Sequence, residues 1–177
     1  MIHVRAGALI LIAACAALAA CTPELDWREL SAAEGRFAVL LPGKARRESR
    51  VLDTPAGALT MTMYSFSLKR GTMGVAYTDY PAAALAADHG RAQLDAARDA
   101  LLRNIGGGAR TEEQISIGGF PGRQILAEGR AGAEGALLKA RFVLVGSRLY
   151  QIAYVGAGDG AAMADIDMFL TSFKPLR

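Results

Sequence analysis

Short stretches of alternating apolar and polar residues, separated by turns rich in glycine and proline, run through most of this chain. Such alternation is typical of half-buried β-strands. It predicts strands over residues 35–41, 47–52, 58–68, 72–80, 111–117, 123–128, 137–145 and 148–155. The last two flank Gly146-Ser147, a pair suited to a type II′ hairpin turn.

Two longer segments follow the period of a helix instead. Between His89 and Asn104, apolar residues recur every three or four positions, which favours a helix with one buried side. Asp99 and Arg103 would form an ion pair on its wet side. A second helix is predicted near the C-terminus, with Asp159 as its cap. Its apolar side consists of Met163, Ile166, Leu170 and Phe173.

Several strands, one helix, four further strands and a final helix therefore follow one another along the chain. Because most links between the strands are too short for parallel crossovers, the strands must pair antiparallel. This order predicts an α+β fold, in which helices pack on a twisted, largely antiparallel sheet. Neither a repeat nor a long low-complexity linker divides residues 27–177, which we take as one domain.

The third predicted strand changes its pattern in the middle. Leu59, Met61 and Met63 are apolar at odd positions, whereas Tyr64 and Phe66 are apolar at even positions. The change indicates either a bulge near the Met63–Tyr64 bond or a strand whose two ends are buried on different faces.

The N-terminal segment has a different composition. Arg5 is followed by an uninterrupted apolar run over 6–20, which ends in Leu18-Ala19-Ala20-Cys21. A basic start, an apolar middle and small residues before a cleavage point are typical of a secretory signal peptide. The last four residues resemble the lipobox of bacterial lipoproteins. The resemblance implies cleavage before Cys21 and attachment of lipid to its sulfur.

Two alternatives compete with lipidation at Cys21. The first is a membrane-spanning anchor, but the apolar run is about 15 residues long, and a spanning helix needs roughly 20. The second is lipidation at Cys15, which follows Ile12-Ala13-Ala14, but only Cys21 is followed by a polar tether. The chain is therefore divided into a signal peptide at 1–20, the lipidated cysteine and tether at 21–26, and the domain at 27–177.

The lipobox resemblance also implies a location. A lipoprotein is held by its acyl chains, here on the periplasmic side of a bacterial membrane. Thr22 stands where an aspartate can retain lipoproteins at the inner membrane in some bacteria, so the outer membrane is favoured. The membrane is then one partner of the protein, and an envelope protein is a second expected partner.

Composition excludes several classes of protein. A net charge of +3 over 177 residues is too close to neutral to indicate nucleic-acid binding. Of the two cysteines, Cys15 would leave with the signal peptide and Cys21 would carry lipid. The domain is then left with one histidine and no free cysteine, which cannot form a disulfide or a typical zinc site.

Four short motifs recur in small exported bacterial proteins. They are Gly-x-Phe-x-Val-x-x-Pro at 35–42, Ile-x-Ile-x-Gly-x-Pro-Gly-Arg at 115–123, Arg-Leu-Tyr-Gln-Ile at 148–152 and Phe-x-x-Ser-Phe-Lys at 169–174. In these motifs the chain resembles PsbP-like and DcrB-like proteins. The resemblance implies an α/β/α sandwich built on an antiparallel sheet, and it implies no catalytic or ligand-binding residue.

Several sequence patterns resemble catalytic or ligand-binding motifs, but for each of them a purely structural role is favoured. Gly156 to Ala161 match a dinucleotide-binding fingerprint, but the parallel strand and the acidic residue that should follow are missing, which favours a loop. His89 is expected to be exposed at a helix start, and Ser147 lacks the second glycine of a nucleophile elbow. The carboxylate pairs 112–113 and 165–167 diverge on their elements. The sequence thus predicts no catalytic, metal or cofactor site, and no enzyme.

One cluster of basic residues stands out, near the start of the domain. Its functional interpretation is contact with phospholipid head groups or an anionic envelope polymer, and the favoured alternative is an edge strand protected by charge. The cluster consists of Lys44, Arg46, Arg47 and Arg50.

One set of methionine and tyrosine residues could line a pocket for an apolar ligand. The same spacing is what the core of a sheet needs, and the core is the default interpretation. The set consists of Met61, Met63, Met73, Tyr64, Tyr77 and Tyr80.

From these observations we expect a membrane-anchored envelope lipoprotein with a non-catalytic binding or assembly domain. The alternative is a periplasmic carrier of a small apolar ligand or lipid, held between sheet and helix. A closed apolar cavity of several hundred cubic ångströms would favour the carrier, whereas a cleft with convergent titratable groups would indicate an enzyme.

Overall fold

Ten strands and three helices make up residues 25–131 and 134–176, which are the residues that the computed structural model describes. The strands are β1 (Arg28–Ala32), β2 (Phe37–Leu41), β3 (Arg46–Thr54), β4 (Gly57–Leu68), β5 (Gly71–Asp79), β6 (Gly108–Ile117), β7 (Phe120–Ala131), β8 (Glu134–Val145), β9 (Arg148–Gly156) and β10 (Lys174–Pro175). The helices are α1 (Ala82–Leu85), α2 (Arg91–Asn104) and α3 (Met163–Ser172).

A seven-stranded antiparallel sheet, in the order β3-β4-β5-β9-β8-β7-β6, is the middle of three layers. On one face, α2 packs against β7, β8 and β9. The other face is covered by α3 and by a small antiparallel sheet of β1, β2 and β10. The predicted α+β fold is therefore confirmed. One outer layer, however, combines a helix with a small sheet, and β1 and β10 were not predicted.

Alternation along the strands supplies an apolar core on each face of the large sheet. On β9, Tyr150 and Ile152 face α3 and the small sheet, whereas Leu149 faces α2. The core on the α3 side centres on Phe37, whose ring lies 5.6 Å from the ring of Tyr64. Full burial of a large apolar side chain contributes about 1.5–3 kcal/mol, so the two cores fix both outer layers on the sheet.

Glycines set the tight turns between neighbouring strands. Gly146 has a φ of 61°, as the predicted type II′ turn between β8 and β9 requires. Gly118 and Gly119 have φ angles of 60° and 87°, and they form a two-residue turn between β6 and β7. The longer loop predicted over 118–122 is wrong, because residues 120–122 already pair within β7.

β4 contains no bulge where its pattern changes. Its pairing with β3 and β5 is continuous, so the second alternative is correct and the two ends of β4 are buried on different faces. Tyr64 and Phe66 pack on the α3 side, and Met61 points to the α2 side, where it lies opposite Thr78. The irregularity in the sheet lies in β6, between Ala109 and Thr111.

The starts of the two long helices differ from the prediction: α2 begins later, and α3 has a different residue before its first turn. α2 begins at Arg91, because His89 adopts a left-handed φ of 56°. The Asp88 carboxylate accepts hydrogen bonds from the backbone N–H groups of Gly90 and Ala92, at 3.0 and 2.8 Å. α3 is preceded by Ala162, so Asp159 is not its cap.

Candidate functional site

A cleft opens beside α2, on the part of the large sheet that this helix leaves uncovered. α2 packs on β7, β8 and β9, whereas β3, β4 and β5 lie beyond it in the strand order. The space between the helix and these three strands measures about 460 Å³ and is partly enclosed. This volume lies in the range of small-molecule sites, roughly 300–1,000 Å³.

The floor of the cleft is a row of residues that pair across the sheet. Arg50 on β3 lies opposite Met61 on β4, and Met61 lies opposite Thr78 on β5. Directly opposed residues of antiparallel strands point to the same face. Leu52 and Tyr80 also line the cleft and extend this floor.

The wall of the cleft is formed by small residues of α2. Ala92, Ala96 and Ala100 are spaced by four positions, so they lie on one side of the helix, and all three line the cleft. Leu101 adds a larger apolar surface. Because each alanine carries only a methyl group, the wall leaves room that a larger side chain would fill.

Two buried polar atoms of the cleft have no hydrogen-bond partner within the described part of the chain. They are Oγ1 of Thr78 and Oε1 of Gln93. Thr78 is 1% exposed, and the Nε2 of Gln93 donates to the carbonyl of Ala84 at 2.9 Å. An unpaired buried polar atom costs about 1–3 kcal/mol, so both positions would be stabilised by a polar group from another molecule.

Three exposed charged residues also line the cleft, namely Arg50, Asp53 and Arg103. None of them belongs to an ion pair among the residues that the structure describes. Burial raises the pKa of the Tyr80 hydroxyl above its ordinary value, so this group is neutral at physiological pH. The cleft thus combines an apolar body, neutral buried polar atoms and an outer margin of mixed charge.

Replacing Thr78 by valine is expected to stabilise the protein by about 1 kcal/mol, because valine has nearly the same shape and no hydroxyl to leave unpaired. Urea denaturation measures the change. The control is Thr60→Val, at an exposed position of β4 outside the cleft, where a change of less than about 0.5 kcal/mol is expected. A clear loss of stability in Thr78→Val would contradict the assignment of an unpaired hydroxyl.

The opposite flank of α2 is held on the sheet by a cluster of ion pairs. Arg123 of β7 contacts Asp95 of the helix at 2.5 Å and Glu112 of β6 at 2.8 Å. Arg98 of the helix also reaches Glu112, at 3.3 Å. The side chain of Arg123 is 11% exposed. These contacts hold one flank of α2 on the β7 side of the sheet, and the cleft lies along its other flank.

Asp99 pairs with Arg98 at 2.8 Å, so the predicted ion pair with Arg103 is wrong. The hydrogen bond from Arg98 lowers the pKa of the Asp99 carboxyl. Arg98, the residue before Asp99, is therefore its partner, and Arg103 lines the cleft instead. The two carboxylate pairs at 112–113 and 165–167 do not converge. Glu112 joins the ion-pair cluster with Arg123, and Asp167 pairs with Lys139.

Arg148, in the motif at 148–152, fastens the turn between β1 and β2 to the large sheet. Its Nε and Nη2 donate to the two carboxylate oxygens of Asp79 at 2.7 and 2.6 Å, and its Nη1 donates to the carbonyl of Glu34 at 2.8 Å. Its guanidinium carbon lies 4.4 Å from the ring centre of Tyr77. Arg148 is 8% exposed, so this motif residue has a structural role.

Tyr150 of the same motif holds the same turn. Its hydroxyl donates to the carbonyl of Gly35 at 2.8 Å, and its ring packs 5.2 Å from that of Phe173. Burial is the main cause that raises the pKa of this hydroxyl, so it remains a donor. Three of the four motifs that carry the family resemblance therefore meet around Tyr150.

The glycine-rich segment at 156–161 is a structural loop, as predicted. The Ala157 N–H donates to the carbonyl of Arg70 at 2.9 Å, and a Cβ at Gly156 or Gly160 would overlap this carbonyl. Asp159 binds the guanidinium of Arg70 at 2.7 Å. The strand before the loop is central in an antiparallel sheet and the chain continues into α3, which is not the context of a dinucleotide site.

His89 and Ser147 both lie at the surface. His89 is exposed before α2, and Ser147 is exposed in the turn between β8 and β9, where its carbonyl accepts from the N–H of Tyr80 at 2.8 Å. Over residues 25–131 and 134–176, no three side chains of the His, Cys, Asp and Glu types are arranged to hold a metal ion.

The basic cluster lies at the start of β3, which is an edge strand of the large sheet. Arg46 contacts Glu48 at 2.6 Å, and Arg47 contacts Glu34 at 2.8 Å. Two of the four cations are thus paired with carboxylates. This placement agrees with an edge strand protected by charge.

The methionine and tyrosine set divides between the two faces of the large sheet. Met61 and Tyr80 line the cleft, and Met63 lines a shallower depression next to it. Met73 and Tyr77 are buried in the core on the α3 side, against which Tyr64 packs. Some members of the set therefore line the cleft and others belong to the core, and an apolar ligand for the first group stays a prediction.

Three features of the cleft were not found from the sequence: the hydroxyl of Thr78, the amide of Gln93 and the alanine side of α2. One signal for the third was present. Ala92, Ala96 and Ala100 recur every four residues beside the larger apolar stripe, which indicates a second contact side with small residues.

The lipobox and Cys21 lie outside the described residues, as does Cys15. Within the part of the chain that the structure covers, no helix has the length and hydropathy to cross a membrane.

A three-layer arrangement around an antiparallel sheet is the fold of PsbP-like proteins, and comparison with solved structures bears this out. The solution structure of the cyanobacterial PsbP protein from Synechocystis sp. PCC 6803 matches with a TM-score of 0.52 and 14% sequence identity, over 84% of this chain and 92% of that chain. The PsbP-like fold expected from the sequence motifs is confirmed.

Two further solved structures are similar at lower scores. LpqN of Mycobacterium tuberculosis, described as involved in cell envelope biogenesis, has a TM-score of 0.48 and 12% identity, over 84% of this chain and 78% of that chain. PA94 of Pseudomonas aeruginosa, a protein of unknown function, has a TM-score of 0.40 and 10% identity, over 76% of this chain and 85% of that chain. No family profile and no curated protein matches the chain.

Proposed function

We propose that the protein is a lipid-anchored component of a bacterial envelope, on the periplasmic side, whose domain binds a small apolar molecule without transforming it. The observation that carries this proposal is the cleft of about 460 Å³ between α2 and the strands β3 to β5. Of the two roles expected from the sequence, the cleft favours the small-ligand carrier over the assembly domain.

The residues that line the cleft support binding rather than catalysis. Its buried polar atoms belong to Thr78 and Gln93, neither of which titrates near neutral pH. The charged residues Arg50, Asp53 and Arg103 are exposed. Reaction sites usually show titratable groups that converge on one point. The anchor is supported by the resemblance of residues 18–21 to a lipobox.

Metabolic labelling with a fatty acid is expected to tag the wild type and to leave Cys21→Ser untagged. The reason is that the thiol of Cys21 would be the only site of lipid attachment. Cys15→Ser is the matched control and should keep the label. Label that persists in Cys21→Ser, or that is lost in Cys15→Ser, would contradict anchoring at Cys21.

The binding role is tested on the full chain extracted from its own membrane. Native mass spectrometry of the wild type should detect a bound small molecule, and Ala96→Trp should lose it, because an indole at this position would fill the cleft. Ala164→Trp, at an exposed position of α3, is the matched control and should retain it. Equal occupancy in both variants, or none in the wild type, would contradict the proposal.

A further inference from the structure

We infer that the molecule held in the cleft carries a neutral head group that both donates and accepts hydrogen bonds, such as an alcohol or a primary amide, on a slim apolar body. This inference rests on the proposed function and adds the chemistry of the ligand to it. The two unpaired polar atoms of the cleft carry the argument.

The Oε1 of Gln93 can only accept a hydrogen bond from a ligand. Its Nε2 donates to the carbonyl of Ala84 at 2.9 Å, and this contact fixes which end of the amide is which, since an oxygen in that place would face another oxygen. The Oε1 is therefore turned away from Ala84 and is buried without a donor. A ligand that satisfies it must bring an N–H or O–H group.

The hydroxyl of Thr78 can donate or accept. It lies on the floor of the same cleft and is almost completely buried, so it also gains from a partner. An alcohol or a primary amide can serve both atoms, because it has a donor and an acceptor. A carboxylate at neutral pH can accept from Thr78, but it has no proton for Gln93 and would place a negative charge near an acceptor oxygen.

The apolar parts of the cleft fit the rest of such a molecule. Met61 lies on the floor and Leu101 on the wall, together with the three alanines of α2 that leave room beside the helix. Arg50 and Arg103 would attract a carboxylate, but both are exposed, and contacts between exposed charges contribute little to affinity because water screens them. The unpaired buried atoms cost more than this, and they therefore decide the selectivity.

The test uses three probes with the same eight-carbon chain: octan-1-ol, octanamide and octanoate. The full chain with Ala96→Cys is reconstituted in lipid vesicles, and the free probe concentration is fixed by equilibrium dialysis. The rate at which a water-soluble maleimide alkylates the introduced thiol reports whether the cleft is occupied. The same chain without Ala96→Cys measures the background from other thiols.

Octan-1-ol and octanamide should slow alkylation at about tenfold lower concentration than octanoate, which corresponds to one net hydrogen bond of about 1.4 kcal/mol. Gln93→Met should remove about three- to tenfold of this preference without weakening octanoate, whereas Thr78→Val should weaken all three probes, because each of them can accept a hydrogen bond from Thr78. Thr60→Val and Gln114→Met, at exposed positions outside the cleft, are matched controls that should not change it.

Each outcome decides between the two proposals. Octanoate that protects as well as the alcohol, or a preference that survives Gln93→Met, overturns the head-group inference and leaves the binding role standing. If none of the three probes protects the thiol, the inference is overturned, and so is an apolar ligand of this size in the cleft.

Discussion

The Arg148→Met variant is expected to lose about 2–3 kcal/mol of unfolding free energy. The change removes the two hydrogen bonds to Asp79 and leaves the carbonyl of Glu34 without its donor. The ring of Tyr77 also loses the cation that lies over it. Because the Asp79 side chain is 51% exposed, water can hydrate it, and the loss stays below that of a fully buried pair.

The size of this loss should depend on pH. The hydrogen bonds from Arg148 hold the pKa of the Asp79 carboxyl below its ordinary value of about 3.9. A carboxyl whose pKa is lower in the folded chain stabilises the fold above its unfolded pKa. This contribution disappears as the pH falls through the folded value. The difference between wild type and Arg148→Met should therefore shrink below about pH 4.

Urea denaturation of both proteins at pH 7 and at about pH 2.5 measures the effect. Arg110→Met is the matched control, since Arg110 pairs with Glu128 on the surface and should contribute less than about 0.5 kcal/mol at pH 7. A difference for Arg148→Met that is the same at both pH values would show that the pair with Asp79 does not stabilise the fold.

A methyl group at position 129 is expected to cost about 3 kcal/mol. In Gly129→Ala the new Cβ would overlap the carbonyl oxygen of Ile105. Because this oxygen belongs to the backbone and the Cβ is fixed to it, no change of side-chain rotamer can relieve the overlap. The next residue, Arg130, donates its backbone N–H to the same carbonyl at 2.6 Å. The chain after α2 and the strand β7 therefore meet backbone to backbone, and the methyl group would push the helix end off the sheet.

Thermal and urea unfolding of Gly129→Ala are compared with those of Gly158→Ala. A Cβ at Gly158 would have no neighbour within 4 Å, so that variant should unfold like the wild type or slightly later. Since α2 forms the wall of the cleft, Gly129→Ala should also weaken protection of the thiol introduced by Ala96→Cys. Unchanged stability would show that the close approach at Gly129 is absent.

The long strands were predictable because each is bounded by a strong turn and fills a face of the sheet by alternation. The type II′ turn at Gly146 and the stripe from Leu94 to Ile105 followed from local rules alone. β1 and β10 were missed because they are short and are strands only through pairing with β2. Asp159 was misassigned because a distant cation, Arg70, binds it in place of the helix end.

The cleft was beyond prediction for a different reason. Thr78 occupies a buried position in a regular strand pattern, and its hydroxyl becomes unusual only because α2 stops short of it. The position of α2 on the sheet depends on the ion pairs of Arg123 and on the contact at Gly129, which join residues far apart in the sequence. The family resemblance predicted the architecture correctly, but of the residues that line the cleft its motifs contain only Gln151.

The strand order has a consequence for how the chain is made. β5 pairs with β4 on one side and with β9 on the other, and Asp79 and Arg148, which face each other in that second ladder, are 69 positions apart. A chain that emerges from its amino end therefore completes β5 long before β9 exists. During that interval the apolar strand has an open edge in the middle of the future sheet, and the nascent polypeptide is then most prone to pair with the wrong neighbour.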